Sequence, residues 1–232
     1  MTSFSEELVA ISEQGVAAVL ATVVEVAGES RVEAGAKCLV RDGKVAAENI
    51  GDPAVVEAIL RESAARLSAE KSQLVSLDLP SGKLEVFFEV MPEPPKLIVV
   101  GAGHIAVPLV KIAKVLDFHV IVIDDLLKEM TLTPACYIVL ITRGHSYDEP
   151  CLREIIHSRA KYIGMIGSRR RIKACFQRFR DEDKVAEEVI ERVYAPIGLD
   201  IGTETPAEIA LSILGEVIKV RRGGKAASLS DR

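Results

Sequence analysis

The chain is 232 residues long, 49% hydrophobic and 27% charged, with 4% aromatic residues, no Trp and a formal net charge of −5. An acidic balance supplies no general positive field for phosphate backbones, and so few aromatics leave little surface for stacking bases. General nucleic-acid binding is therefore excluded, while the length allows one large or two small domains with an adequate core.

Residues 4–15 read as an amphipathic polar helix without the basic start and continuous apolar run of a secretory signal. No later apolar run escapes Lys, His or Asp for long enough to span a membrane, so a cytoplasmic location is expected. A β-rich run, VAAVLATVVEVAG, follows, and AKCLVRDGKVAA reads as a hairpin turning at Asp42-Gly43. Asp52-Pro53 has the form of an N-cap with proline at the first helical position, opening a helix through VVEAILRESAARL. Two more strands, QLVSLDL and KLEVFFEV, precede MPEPP at 91–95. Three prolines in five residues exclude any regular element, so a boundary is predicted there.

Beyond that boundary the pattern alternates: strands at 97–100, 119–123, 137–142 and 161–166, and helices at 104–117, 148–158, 168–180 and 206–222. Alternation of this kind predicts a parallel sheet covered by helices. The fold class is thus α/β, a C-terminal Rossmann-like parallel sheet with helices on both faces, preceded by a smaller α+β domain. The domains are drawn at 1–92 and 96–224. The tail GGKAASLSDR is expected to fray, and the chain contains no internal repeat. Cys38, Cys136, Cys151 and Cys175 lie far apart without metal-ligand spacing, which predicts buried reduced thiols.

The stretch KLIVVGAGHIAVPLVKIAKVLDFHVIVIDD has the order of a βαβ nucleotide-binding unit. Gly101 allows the tight turn, Gly103 lets backbone N–H groups approach a diphosphate, and Ala106 permits close helix–strand packing. Asp124 follows Gly101 by 23 residues, near the position of a ribose-binding acid. Three further loops are predicted at the same sheet edge, since ligands bind outside the carboxyl ends of parallel strands. One is Thr142-Arg143-Gly144-His145-Ser146-Tyr147-Asp148. Another, Gly167-Ser168-Arg169-Arg170-Arg171, offers N–H donors, a helix N-terminus and guanidinium forks to an anion. Its other reading is a solvated basic face, extended by Lys173, Arg178 and Arg180 and paired with Asp181–Asp183. The last runs from Gly198 to Thr205. Thr205-Pro206-Ala207-Glu208 forms a capping box, leaving Asp200 and Glu204 as free carboxylates. His104 and His145 are candidates for acid–base work, or else cap a helix or bond a carbonyl. Asp148-Glu149-Pro150 reads as another N-cap.

The strings PPKLIVVGAGHIA, HVIVIDD, LTPACYIVLITRGHSYDEPCLREII, KYIGMIGSRRRI and APIGLDIGTETPAEIALSILGEVIKVRRG together resemble the XdhC/CoxI family of xanthine dehydrogenase accessory proteins. In the first half, ATVVEVAGESRVEAGAKCLV and LEVFFEVMPEPP are similar to the family's N-terminal domain. The resemblance implies a chaperone, not a catalyst of turnover. Such a protein binds molybdenum cofactor (molybdopterin), shelters it during sulfuration, with a cysteine desulfurase as a further partner, and delivers it to a xanthine dehydrogenase-like molybdenum hydroxylase. It also implies a homodimer. The implied cofactor-binding set is Gly101, Gly103, His104, Asp124, Arg143, His145, Gly167, Ser168, Arg169, Arg170 and Asp200. The alternatives are an NAD-dependent oxidoreductase, motivated by the glycine turn and Asp124, and a nucleotide-binding module without chemistry of its own. The chain departs from the family where a cysteine-bearing glycine segment is expected after the first hairpin and before LEVFFEV. AAENIGDPAVVE and Pro80-Ser81-Gly82-Lys83 stand there instead, and the link from Asp125 to Leu132 is short.

Overall fold

The computed structural model describes residues 4–123, 130–142, 145–228 and 230. The chain divides into two compact units, Met1–Pro94 and Pro95–Arg232.

The first unit is an antiparallel sheet of five strands: β1 (Ala18–Gly28), β2 (Lys37–Arg41), β3 (Lys44–Glu48), β4 (Gln73–Leu79) and β5 (Gly82–Met91), in the order β3-β2-β1-β5-β4. The period of two decides its faces. Leu84, Val86 and Phe88 are wholly buried with Val19, Ala21, Val23 and Cys38 beneath α2 (Pro53–Ala69), which contributes Val55 and Ile59. On the other face, α1 (Phe4–Gln14) buries Ile11 against Ala18, Leu20 and Leu39. The β2–β3 turn carries positive φ at both Asp42 and Gly43, 51° and 70°, as a two-residue hairpin turn requires. Asp52 caps α2 by accepting from the Ala54 and Val55 N–H groups.

The second unit is a parallel sheet. Its strands are β6 (Lys96–Val100), β7 (His119–Ile123), β8 (Cys136–Leu140), β9 (Tyr162–Met165) and β10 (Val193–Tyr194), in the order β10-β9-β8-β6-β7. Alternate residues feed two cores. Leu97, Val99, Tyr137, Val139 and Tyr162 face α3 (Ala106–Val115) and α7 (Pro206–Arg222). Ile98, Val100, Ile138, Leu140, Ile163 and Met165 face α4 (His145–Ile155), α5 (Arg169–Asp181) and α6 (Glu187–Glu191). Helices therefore cover both faces. The order is doubly wound: β7 lies on one side of β6 and the later strands on the other, which puts the topological switch between β6 and β8.

Three sequence expectations need correction. Helix α4 begins at His145, so Asp148 lies within its first turn instead of capping it, and Pro150 lies inside the helix. Among the described residues Arg178 and Arg180 form their close ion pairs with Glu149 and Glu187, while Asp181 and Glu182 act on them only at longer range; from that run Asp183 pairs with Arg153 of α4. Helix α6 and strand β10 were not expected from the pattern at all.

Candidate functional site

Because β6 to β10 are all parallel, the loops after β6, β8, β9 and β10 leave the same carboxyl edge. Neighbouring strands lie about 4.8 Å apart, so the loops after β6 and β9 are on the order of 10 Å apart along it. A ligand the length of a ring system plus a phosphate spans that distance.

The switch point is tightly built. Gly101 has φ +107°, and a Cβ there would sit 2.8 Å from the Ile141 carbonyl oxygen and 3.0 Å from the Thr142 Cα. Its N–H donates to the Ile123 carbonyl at 2.9 Å, and the Ile141 N–H donates to Val100 at 2.9 Å. Glycine is thus imposed at 101 by its own backbone angle and by the β8 backbone. Gly103 is different: its φ is ordinary, and the nearest atom to an added Cβ is the Ile141 oxygen at 4.0 Å. Among the described residues no atom demands a glycine there, and none stands closer than 4.0 Å to the added Cβ. Helix α3 starts two residues beyond His104 with no side-chain cap on its N-terminus. His104 is exposed and has no hydrogen-bond partner among the described residues, so it does not cap that helix. Asp124 and Arg143 lie outside the described residues, as does the side chain of His145.

One strand beyond β8, Ser168 caps α5 by accepting from the Arg171 N–H at 3.4 Å. Its hydroxyl hydrogen remains available for a ligand. Gly167 precedes it, and Arg169 and Arg170 occupy the first turn, both exposed and without an ion pair among the described residues. Arg171 instead reaches Asp148 at 3.4 Å. The Asp148 carboxylate, 4% exposed, also accepts from the Thr142 hydroxyl and so ties the β8 loop to the first turn of α5. Two turns on, Arg178 forks onto Glu149, a pairing that raises the guanidinium further above its ordinary value. Cys175 lies between these pairs at 4% exposure. Burial pushes its thiol up to about 11, Glu149 adds to the rise, and Arg178 and Arg153 oppose it. That thiol is neutral near pH 7 and carries no nucleophilic chemistry.

Asp200 is exposed in the loop after β10. The approach to it is anchored from within: the Ile197 N–H donates to Met165 at 3.1 Å, and the Gly198 N–H donates to Glu216 at 3.0 Å. Glu216 is buried on α7 and also accepts from the Tyr162 hydroxyl at 2.6 Å. Sequence reasoning missed this pair, although a lone carboxylate interrupting the apolar stripe ALSILGEVI was its signal. The capping box at Thr205 and Glu208 is present in full, and Glu204 is exposed. All four cysteines are free and buried. Among the described residues no group of His, Cys, Asp or Glu is arranged to hold a metal ion, and no helix is long and apolar enough to cross a membrane.

A doubly wound parallel sheet with a glycine turn and an arginine loop at its carboxyl edge defines a Rossmann-class unit. Residues 97–217 match the XdhC Rossmann domain and residues 11–78 match the XdhC and CoxI family. The chain belongs to the XdhC/CoxI family. It is 27% identical over 252 residues to "Uncharacterized protein YqeB" of Escherichia coli K12, covering 93% of this chain and 46% of that protein. It is 28% identical over 160 residues to a probable xanthine dehydrogenase component of Bacillus subtilis 168, covering 59% of this chain and 46% of the relative. The chain thus spans about half the length of the curated relatives it matches. A crystal structure of a xanthine dehydrogenase from Bacillus halodurans shares the fold, with a TM-score of 0.52 at 19% identity over 99% of this chain and 98% of that one.

Proposed function

We propose that this chain is a xanthine dehydrogenase accessory protein that holds molybdenum cofactor at the carboxyl edge of its second unit and hands it to a molybdenum hydroxylase of the xanthine dehydrogenase type. The observation that carries the reading is the pair Arg169 and Arg170, exposed and without an ion pair among the described residues, beside the Ser168 hydroxyl at a helix N-terminus. That arrangement suits the phosphate of molybdopterin: guanidinium forks, a hydroxyl donor and the positive end of α5 are all supplied by one helix start. The open approach in front of Gly103 gives a second anionic group backbone donors at the uncapped start of α3.

The donor set also limits what the protein does for the metal. Cys38, Cys136, Cys151 and Cys175 are between 0% and 4% exposed, so no thiol is offered to molybdenum. The cofactor's own dithiolene supplies the metal's sulfur ligands and its redox chemistry when bound. The side chains of this chain grip the phosphate and orient the ring. A relative whose name ties it to xanthine dehydrogenase supports the choice of recipient, and sulfuration by a cysteine desulfurase would take place on the held cofactor.

The test is anaerobic purification from a molybdenum-replete host, followed by assay of bound molybdenum and of oxidised-pterin fluorescence. Near-stoichiometric pterin is expected. Each lost charge-assisted hydrogen bond costs about 1.5–3 kcal/mol, so Arg169→Ala/Arg170→Ala should weaken retention by roughly two to four orders of magnitude. Absence of pterin together with tight NADH binding would overturn the proposal in favour of the nicotinamide-dependent alternative.

A further inference from the structure

A cavity of about 260 Å³ opens between α4 and α5 at the end of β9, next to the arginine loop and lined by none of the residues that the family resemblance implies for the cofactor. Its wall on α5 is Ile172 together with one helical face, Arg171, Ala174, Cys175 and Arg178, at i, i+3, i+4 and i+7. We propose that this cavity receives the fused pterin portion of the proposed cofactor through its aminopyrimidinone edge, the group shared by pterin and guanine. The inference rests on the cofactor reading above and assigns the ring of that ligand its own seat.

Four properties select this class. The volume lies below the roughly 300–1,000 Å³ of pockets that enclose whole drug-sized ligands, so one fused ring system fits and a dinucleotide does not. The floor is apolar and carries two sulfur atoms, from Met165 and Cys175, which pack well against an aromatic face. The Cys175 thiol is protonated, so this wall is soft and unreactive.

Among the described residues the rim holds two carboxylates and two guanidiniums, Asp148 with Arg171 and Glu149 with Arg178, in opposite-charge pairs. Such a rim does not select a net charge; it reads a neutral edge on which donors and acceptors alternate. A carboxylate accepts from the adjacent ring N–H and exocyclic NH₂ of an aminopyrimidinone, and a guanidinium donates to the carbonyl oxygen and the next ring nitrogen, as arginine does with guanine. Adenine lacks the paired donors. Position completes the set: Arg171 lines the cavity, while Arg169 and Arg170 stand two and one residues earlier on the same turn. A ring in the cavity therefore lies within one helical turn of the two unpaired arginines.

The test titrates the full chain with 6-hydroxymethylpterin, followed by its own fluorescence, with guanosine and adenosine as competitors. Ala174 is exposed on α5 at the cavity wall, so Ala174→Leu fills the opening without touching the buried core. Pterin should bind the parent and bind Ala174→Leu and Glu149→Gln at least tenfold more weakly, with the tyrosine-fluorescence unfolding midpoint of Ala174→Leu unchanged. Displacement by guanosine and not by adenosine marks the shared edge as what is read. Adenosine competing as well as guanosine, a pterin that neither nucleoside displaces, equal binding by parent and Ala174→Leu, or no binding of the pterin overturns the assignment. If the cavity fails in this way while cofactor retention still depends on Arg169 and Arg170, the chaperone reading stands without it.

Discussion

Two glycines two residues apart in the same turn should behave oppositely on replacement by alanine. At Gly101 the methyl group must coexist with φ +107° and with backbone atoms 2.8, 2.9 and 3.0 Å away, none of which is the flexible end of a side chain. An L-residue held in that region costs about 1–3 kcal/mol, and forced overpacking costs a further 1–3 kcal/mol or so. A loss of about 2–6 kcal/mol is a large part of the roughly 5–15 kcal/mol that holds a typical domain together. At about 4 °C per kcal/mol, Gly101→Ala should melt at least about 8 °C below the parent. At Gly103 the nearest atom lies 4.0 Å away and φ is ordinary, so Gly103→Ala should change stability by no more than about 0.5 kcal/mol. Its methyl would occupy the space through which an anion reaches the backbone, so cofactor retention should fall at least about tenfold, roughly 1.4 kcal/mol. The assay is favourable because all four tyrosines, Tyr137, Tyr147, Tyr162 and Tyr194, lie in the second unit, so tyrosine fluorescence reports that unit alone. If Gly103→Ala carries a full complement of cofactor, the glycine turn is not a binding element. A Gly101→Ala protein that melts with the parent would refute the packing argument.

Thr205→Ala removes half of the capping box on α7 and should cost about 1 kcal/mol, or about 4 °C, with Thr205→Ser close to the parent; equal melting of all three would show that the cap contributes nothing. Stability should also fall in alkali. Burial raises the Cys38 and Cys175 thiols from an ordinary 9.0 to about 11, with Glu48 and Glu149 adding to the respective shifts, and raises the Tyr162 hydroxyl well above the usual tyrosine range. Raised acids favour the neutral form in the folded chain. Their contribution is therefore whole below about pH 8.5 and is lost as pH climbs toward the folded values, on the order of 2–3 kcal/mol for each thiol. Urea midpoints that stay level from about pH 8 to about pH 11 would contradict this.

What the sequence made legible was chemistry that closes within a few residues. Asp52-Pro53, Asp42-Gly43 and the Thr205–Glu208 box each satisfy their own backbone locally, so each could be read and each is present. The strands of the second unit were legible because alternate residues feed two apolar cores. Strand β10 was not: two residues have no period, and Val193-Tyr194 is held by pairing with β9 and by Tyr194 stacking on Tyr162 at 4.8 Å. Asp148 was misread for the same reason. Its sequence neighbours suggest a cap, but its partner, Arg171, is 23 residues away, and the Tyr162–Glu216 bond spans 54. Side chains whose role depends on distant partners carry no mark in spacing, and the α4–α5 cavity is built from several of them.

Helix α5 shows how a broken local rule points to the site. A helix N-terminus repels cations by about 0.3–1 kcal/mol each, and α5 opens with three arginines and no acid in its first turn. At its other end Arg178 and Arg180 obey the rule, and both are paired with carboxylates. Asp148 offsets Arg171, which leaves Arg169 and Arg170 as the uncompensated pair at the sheet edge where ligands bind. Stability alone does not favour those two residues, and on the proposed reading an anion completes them. The consequence is a trade-off. Arg169→Ala/Arg170→Ala should lose cofactor and yet unfold later than the ligand-free parent, by about 0.5–2 kcal/mol, or roughly 2–8 °C. A double variant that loses both cofactor and stability would instead make the arginines structural, and the case for an anion seat at α5 would fall with it.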